Sequence, residues 1–248
     1  AGANPPEGVS VVFHLGEAPK GEVKLTFIDP VGVVVRTFST KDESPELFAN
    51  SGMNRFVWDM RYPDAEPPLQ IGAPSLKSVP PPIAPLATPA EYRVELSLDS
   101  QTYLQSFQIL QDPRGSAGAK DLDDQFDLLV DIRDRLSQAR RAVKQIARVR
   151  DQIGEWERRS EEVADTGPFL DSAARIKEAL SAIEGRLITV KLPGEKGRLA
   201  QITEKLEALA PVVSSTDAAP TRQSHEVFEE LAASLDDQLA ALGDLIDN

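Results

Sequence analysis

The sequence predicts a chain with two parts: an all-β N-terminal part with an immunoglobulin-like sandwich, and an antiparallel helical bundle that includes one long helix. Apolar residues alternate with a period of two between Val9 and Leu110, as they do in strands that bury one face. After a segment rich in Pro, Gly and Ser at 112–118, the apolar spacing becomes that of a helix. The predicted domains are therefore 1–114, the sandwich, and 119–248, a four-helix bundle.

The strands of the first part are predicted from alternating apolar sets that are separated by turns. Asp29-Pro30-Val31-Gly32 supplies one turn, because Pro presets φ and Gly tolerates positive φ, so the flanking strands form a hairpin. Six or more short strands favour an immunoglobulin-like sandwich, which also resembles the domains of flagellar hook-capping proteins. The sets are Val9, Val11, Phe13 and Leu15; Val23, Leu25 and Phe27; Phe56, Trp58 and Met60; and Tyr92, Val94, Leu96 and Leu98.

Trp58 and Asp59 have two interpretations. An aromatic ring beside a carboxylate is found in sugar-binding sites. The strand alternation, however, places Trp58 on the same face as Phe56 and Met60, which is typical of a core anchor. We therefore favour a buried Trp58 and an Asp59 that accepts hydrogen bonds at the end of the strand.

The segment 63–89 contains nine prolines in 27 residues. It cannot form an interior strand, because proline lacks the backbone donor, and it tends toward polyproline II. A loop of this length is usually functional or disordered, and its scattered apolar residues favour order. It either covers its own sandwich or packs against another part of a longer protein. Its candidate interaction surface is Leu69, Ile71, Leu76, Ile83 and Leu86.

The second part is predicted to contain four antiparallel helices, with turns at 192–194 and 217–221. The first helix runs from near Leu122 to about Val163, roughly 60 Å at 1.5 Å per residue, and needs partners along its single apolar stripe. The predicted core positions are Leu129, Ile132, Leu136, Ala139, Val143, Ile146 and Ile153; Phe169, Ala173, Ile176, Leu180, Ile183 and Leu187; Leu199, Ile202, Leu206 and Leu209; and Phe228, Leu231, Leu235, Leu239, Leu242 and Ile246.

Several polar residues of the second part have more than one interpretation. Asp121, Asp123 and Asp124 could hold calcium, but they lack the glycine and distal glutamate of a calcium loop, so we expect them to start the helix, with Asp121 as its N-cap. Arg150 lies on the apolar seam, where a polar layer is one interpretation and a snorkelling side chain is the one we favour. Trp156 is predicted to make a partly buried contact at the helix end.

Composition excludes several classes of partner. The net charge of −13, with −5 up to Gly118 and −8 after it, repels polyanions, so we expect neither nucleic acid nor anionic membrane as a ligand. The absence of cysteine excludes disulfides and thiolate zinc sites. The sequence contains no apolar run of the roughly 18 residues that indicate a membrane span, so we predict no membrane insertion.

Catalytic patterns are also missing from the sequence. The two histidines, His14 and His225, have no neighbouring nucleophile or carboxylate pattern that predicts a triad. We expect His14 to be exposed on the first strand and His225 to lie in the first turn of the last helix. No phosphate-binding loop, dinucleotide-binding pattern or zinc-protease pattern occurs. The sequence therefore predicts no catalytic residue, no cofactor and no metal site.

Two sequence blocks resemble a known family. They are ANPPEGVSVVFHL at 3–15 and MNRFVWDMRYPDAEP at 53–67, and PAEYRVEL, DPR, QFDLLVDIRDRLS and DAAPT follow downstream. The chain resembles the C-terminal module of large secreted bacterial proteins of the sialidase-like, BNR-repeat glycosyl hydrolase type, which carry sortilin-like β-propellers. The resemblance implies an exported chain, excised from a longer protein, whose partner is the β-propeller of that protein.

These observations lead to two functional hypotheses. The first is a non-catalytic structural and interaction module that packs on or extends the β-propeller, with the proline-rich segment as a candidate contact. The second is a carbohydrate- or cell-wall-binding accessory module of a glycoside hydrolase. Only 6% of the residues are aromatic and most of these alternate into predicted cores, so we favour the first. A homodimer through the long helix is a further candidate partner.

Overall fold

The structure is a computed structural model and describes residues 7–43, 47–69, 84–160, 167–189 and 200–247. Within these residues it contains two antiparallel sheets with six strands, and four helices of which one is long, so the predicted combination of β and α structure is confirmed. Two compact units divide the chain: Ala1–Pro63 with Ala84–Phe126, and Asp64–Ile83 with Asp127–Asn248. Compared with the predicted domains, the first turns of the long helix group with the strands, and the segment 64–83 groups with the helices.

The strands of the first unit form two sheets. One sheet pairs β1 with β4, and the other has the order β3-β2-β5-β6. All the pairings are antiparallel. The strands are β1 (Val9–Leu15), β2 (Val23–Ile28), β3 (Val34–Ser39), β4 (Gly52–Trp58), β5 (Glu91–Leu98) and β6 (Gln101–Gln108).

The inward side chains of both sheets share one aromatic core. The rings of Phe27 and Trp58 stack with their centroids 4.4 Å apart, and Phe38 lies 4.6 Å from Phe56. Trp58 is fully buried, and its Nε1 donates a hydrogen bond of 3.1 Å to the carbonyl of Arg61. The predicted core role of Trp58 is therefore confirmed, because burial leaves no ring face for a sugar.

The turn between β2 and β3 forms as predicted. Asp29 Oδ1 accepts hydrogen bonds from the backbone N–H groups of Val31 (3.0 Å) and Val33 (2.7 Å). Gly32 has a φ of 93°, which a residue with a side chain rarely adopts. The side chains of Val31 and Val33 are left exposed.

The helices of the second unit are α1 (Ala119–Ser160), α2 (Gly167–Leu187), α3 (Ile202–Val213) and α4 (Arg222–Asp247). The prediction of one long helix is confirmed, since α1 has 42 residues. From Asp127 onward, α1 belongs to this unit. The buried side chains of all four helices form one largely aliphatic core.

The helices α2 and α3 follow one another along α1. As residue numbers fall along α1, the numbers of its ion-pair partners in α2 rise, so α2 runs antiparallel to α1. Thr203 Oγ1 donates to the carbonyl of Leu187, so α3 starts at the end of α2 and reaches α1 again at Glu207. The helix α4 contacts both of them. The ion pairs of α1 with α2 therefore lie nearer its C-terminal end than its ion pair with α3. The pairs are Glu157 with Lys177, Arg150 with Glu184, and Arg140 with Glu207.

Most predicted helical core positions in the described residues are buried or partly buried. Phe169 and Ile246 are exposed, and Trp156 is 63% exposed, so these three predictions were wrong. All three lie near the ends of their helices. Leu199 lies outside the described residues.

The predicted role of Asp121 needs a correction. The helix α1 begins at Ala119, so Gly118 is the N-cap, and Asp121 is the third helical residue. Asp121 Oδ2 accepts a hydrogen bond of 2.9 Å from the Gly118 N–H. This is the reciprocal half of a capping box, in which a side chain of the first turn satisfies the cap residue's own donor. Asp121 therefore stabilises the start of the helix from a position within its first turn.

Candidate functional site

The structure describes two of the five residues of the predicted interaction surface. Leu69 packs against the helical core of the second unit. Leu86 belongs to the first unit, where it is exposed and forms a β-bridge with Arg61. Ile71, Leu76 and Ile83 lie outside the described residues. The described positions thus assign Leu69 and Leu86 to different units, and the prediction of one shared surface stays a prediction.

A polar cluster, which we call the Glu66 clamp, holds the start of the proline-rich segment on α1. It consists of Glu66, Ser137, Arg140, Lys144 and Glu207. The Glu66 N–H donates to Ser137 Oγ at 3.0 Å, and its carbonyl accepts from Arg140 at 2.6 Å. Lys144 Nζ donates to Glu66 Oε1 at 2.5 Å. Both backbone groups and the carboxylate of one residue are therefore satisfied by a single helix.

Charge balance explains why the clamp can be buried. The Arg140 side chain is nearly buried and also pairs with Glu207 Oε1 at 2.5 Å, so its charge is compensated. Arg140 Nε is buried without a hydrogen-bond partner among the described residues. The hydrogen bond from Lys144 lowers the pKa of Glu66, while partial burial acts in the opposite direction. Glu66 is consequently ionised at neutral pH and remains attached to Lys144.

Sequence reasoning did not identify this cluster. The segment 64–69 has no periodic pattern, and Ser137, Arg140 and Lys144 are ordinary residues for a solvent-facing helix surface. Arg140 follows the predicted core residue Ala139 directly. In the structure both of these adjacent residues are buried, which indicates that α1 has a second contact face.

A second candidate site is the outward face of the β1–β4 sheet. We call it the β1–β4 outer face. Successive side chains of a strand point to opposite sides, so this face carries the residues that alternate with the core positions. Val12 is 56% exposed and Met53 is 70% exposed. Its six residues, paired across the two strands, are Ser10 with Val57, Val12 with Arg55, and His14 with Met53.

The β1–β4 outer face differs in charge from the rest of the protein. It contains no carboxylate, although the chain has 40 acidic residues. Its one permanent charge is Arg55, whose Nε donates to Ser10 Oγ at 2.8 Å and is thereby held along the sheet. The predicted exposure of His14 is confirmed. The face therefore combines exposed apolar side chains with one fixed cation.

The acid next to Trp58 has the predicted local role. Asp59 Oδ1 accepts a hydrogen bond of 3.1 Å from the Arg61 N–H at the end of β4. Met60, between them, has a φ of 59°. The guanidinium of Arg61 donates to the carbonyl of Ala84 at 2.8 Å, so it is engaged with backbone. The geometry describes a strand end and offers no free carboxylate beside an exposed ring.

The polar residue in the helical seam is also accounted for. Arg150 donates to Glu184 Oε2 at 2.5 Å and to Ser181 Oγ at 2.8 Å. Glu184 is buried, so Arg150 forms a polar contact between α1 and α2. Of the two interpretations, the polar layer describes this geometry. Arg150 therefore has a structural role, since both of its partners lie on α2.

The described residues contain no group of three or more His, Asp or Glu side chains arranged to hold a metal ion. His225 lies in the first turn of α4 and is exposed, as predicted. None of the described helices is long and apolar enough to cross a membrane. No protein-family model, no curated protein and no solved structure matches this chain.

Proposed function

We propose that this chain is a non-catalytic interaction module of a larger exported protein, and that its β1–β4 outer face docks on the β-propeller of that protein. The observation that carries the proposal is the exposure of Val12 and Met53 on a face without carboxylates. The two strands of this face come from the two sequence blocks that carry the family resemblance. The exported location follows from the same resemblance.

The packing of the β1–β4 sheet supports docking. Its inner face is covered by the aromatic core, whereas Val12 and Met53 on the outer face are left exposed, so their burial against a partner would be favourable. Exposed apolar side chains that adjoin on one face commonly mark contact sites. Val57, the third apolar residue of the face, is already half-buried. A partner surface of matching shape would complete the burial of all three.

The charge of the face indicates the kind of surface that fits it. Most of the protein repels an acidic partner, since the net charge is −13. The β1–β4 outer face has Arg55 and no opposing carboxylate. A partner surface that is apolar at its centre and has an acidic group near Arg55 is therefore complementary.

We further propose that the first unit has an immunoglobulin-like arrangement. Its two antiparallel sheets enclose a buried tryptophan, Trp58. In addition, the Tyr92 hydroxyl donates to the carbonyl of Thr88 at 3.1 Å, four residues upstream, as in the tyrosine corner of such domains. Burial raises the pKa of Tyr92, so the hydroxyl stays protonated and keeps this bond.

The docking proposal is tested by calorimetric titration of this chain with the propeller of its own parent protein. We expect the double variant Val12→Glu and Met53→Glu to weaken binding at least about tenfold, or ~1.4 kcal/mol. The matched control is Val33→Glu, which changes an equally exposed valine on the β2–β3 turn, and binding should be retained. Absence of binding by the unmodified chain, or equal binding by the double variant, would contradict the proposal.

One observation favours the carbohydrate-binding alternative. Tyr103 is exposed on β6, and its hydroxyl donates to Gln101 Oε1 at 2.8 Å. The alternation of the strand places Gln105 on the same face. An aromatic ring beside amide groups can stack on a sugar and bond its hydroxyls. If this is the function, titration with cell-wall oligosaccharides will give saturable binding that Tyr103→Ala abolishes and Trp156→Ala does not.

A further inference from the structure

We infer that β6 is a self-association edge: it pairs antiparallel with β6 of a second copy of this chain, which joins two four-stranded sheets into one of eight strands. The inference concerns a different strand from the docking face and does not depend on the proposed function. It rests on three properties of β6, which are its open edge, its lack of charge and its self-compatible register.

The outer edge of β6 is open. In the part of the chain that the structure describes, β6 pairs with β5 alone, through eight consecutive residue pairs from Glu91 with Gln108 to Leu98 with Gln101. Every residue of β6 except Phe107 is exposed. An edge strand presents a row of unpaired N–H and C=O groups toward its free side. A strand of the same length can therefore be added to it.

The strand lacks the features that usually prevent such pairing. Its sequence, QTYLQSFQ, contains no residue that is charged at neutral pH and no proline, and its register with β5 has no bulge. Natural edge strands are commonly protected by charges, proline or bulges. The opposite edge of the same sheet, β3, differs: it carries Arg36, and half of its residues are buried. The lack of protection is thus specific to one edge.

Lack of charge points to a second copy as the partner. In a two-fold symmetric antiparallel pair, a charged residue meets a like charge on or near the axis, and such pairs are destabilising. A self-pairing strand must therefore lack charge at the axis, and β6 meets this condition at every position, although about a quarter of the chain is charged. A strand that recognises a different protein has no such constraint and gains specificity from opposite charges.

The register of the pair follows from the strand alternation. Residues directly opposite each other must lie on the same face, so the axis passes through one residue position of β6. With the axis at Leu104, each Leu104 faces its copy on one side of the joined sheet. On the other side, Tyr103 faces Gln105 of the second copy. Leu104, which is 55% exposed in the single chain, becomes buried at the centre of the contact.

The first test is sedimentation equilibrium of the intact chain over a wide concentration range. We expect a reversible 54 kDa dimer of the 27.0 kDa chain. Its dissociation constant should fall as salt rises from about 0.05 M to about 0.5 M, because screening relieves repulsion between two copies of charge −13. A strict monomer at every concentration and salt would overturn the inference.

Matched variants locate the contact. Leu104→Lys should raise the dissociation constant at least about tenfold by placing two ammonium groups at the axis. The control is Val34→Lys on β3, the other edge of the same sheet, where the side chain is 56% exposed. Leu104→Glu, which places two carboxylates at the axis, serves as a second β6 variant if Leu104→Lys lowers the circular dichroism of the folded chain. A dimer that resists the folded β6 variant, or that is lost equally in Val34→Lys, overturns the inference.

The absence of cysteine allows a direct measurement of the register. Single cysteines at residues 102 to 106 are oxidised in the intact chain, and disulfide-linked dimer is quantified. We expect the yield to peak at Leu104→Cys, because only the residue at the axis faces its own copy within disulfide distance. A cysteine at Trp156, exposed on α1, should give little product. A higher yield from Trp156→Cys would assign the contact to the long helix and overturn the inference.

Discussion

The β unit and the helical unit bury their apolar surface in different ways, and the difference explains where this protein can form contacts. The β unit has an aromatic core between two sheets, but its sheets end in open edges and an uncovered face. The helical unit has an aliphatic core, and it adds the extended segment from Ala65 to Leu69 to its own surface. Helices satisfy most of their backbone groups internally, whereas a sheet edge does not. Among the described residues, open strand edges that can pair through backbone hydrogen bonds therefore belong to the β unit.

Polar groups also have different roles in the two units. In the β unit, buried donors bond to nearby carbonyls, as Trp58 does to Arg61. In the helical unit, the clamp joins residues that are far apart in sequence, with Glu66 and Arg140 separated by 74 positions. A buried ion pair between residues that are far apart in sequence is costly to break, because the remaining partner stays buried without its counter-charge. The comparison therefore predicts different weak points in each unit.

The largest expected effect is in the aromatic core. Trp58→Ala should lower the free energy of unfolding by about 3 to 5 kcal/mol, because it empties a site that stacks on Phe27. Urea denaturation followed by circular dichroism measures the change. The control is Trp156→Ala, an exposed tryptophan on α1, for which we expect less than about 0.5 kcal/mol. Equal losses in the two variants would contradict the assigned core.

The second effect concerns the clamp. Arg140→Leu should lower the free energy of unfolding by about 3 kcal/mol. It removes the positive charge that compensates Glu207 and the donor to the Glu66 carbonyl. Arg135→Leu is the control on the same helix, since its pair with Asp236 is largely exposed and contributes at most about 1 kcal/mol. Denaturant titration of both variants decides the matter. If the clamp does not stabilise the fold, the two variants will have the same free energy of unfolding.

The third effect concerns how much the segment from Ala65 to Leu69 stabilises the helices. The fragment 119–248 should give strongly helical circular dichroism, but it should be about 2 kcal/mol less stable than the same fragment with residues 64–69 attached through a flexible linker, since it lacks the contacts of Ala65 and Leu69. In the shorter fragment, water can replace Glu66 at Arg140, which limits the loss. Thermal unfolding of both fragments is the measurement. Identical melting would show that the segment contributes nothing, and an unfolded shorter fragment would show that the helices depend on it.

The smallest effect is a pH dependence. The pKa of Glu66 is lowered by Lys144, so its ion pair stabilises the fold above the ordinary glutamate value, about 4.3, and this stabilisation is lost as pH falls through the lowered pKa. Glu66→Gln should therefore be less stable than the unmodified chain at pH 7, with the difference shrinking toward pH ~3. Chemical denaturation at both pH values provides the test. A difference that grows on acidification would have the wrong sign.

Much of the fold could be predicted from the sequence because its local periods are strong. The alternation in β1, β2, β4 and β5 identified the buried face of each strand, and Trp58 with it. The change of period identified the long helix, and Leu129 to Ile146 identified its buried stripe. Local periodicity reports whether a side chain faces the core, and that property is decided mainly by neighbours in sequence.

The candidate sites could be predicted only in part. The β1–β4 outer face follows from alternation once β1 and β4 are paired, but the pairing itself joins residues that are 37 to 49 positions apart. The clamp could not be predicted, because the segment around Glu66 has no period and its partners lie on a helix far along the chain. The same limit applies to Phe169, whose apolar spacing fits a buried face but whose side chain is exposed.

By itself, the sequence determined the type of each element, its apolar face, the acidic surface and the turn at Asp29 to Gly32. The tertiary structure alone decided that Gly118 caps α1, that the segment from Asp64 belongs with the helices, and that no described strand pairs with the outer edge of β6. The reason is physical. A short segment encodes which side chains avoid water, but what covers them depends on contacts between distant residues, whose free energy arises only when the whole chain is packed.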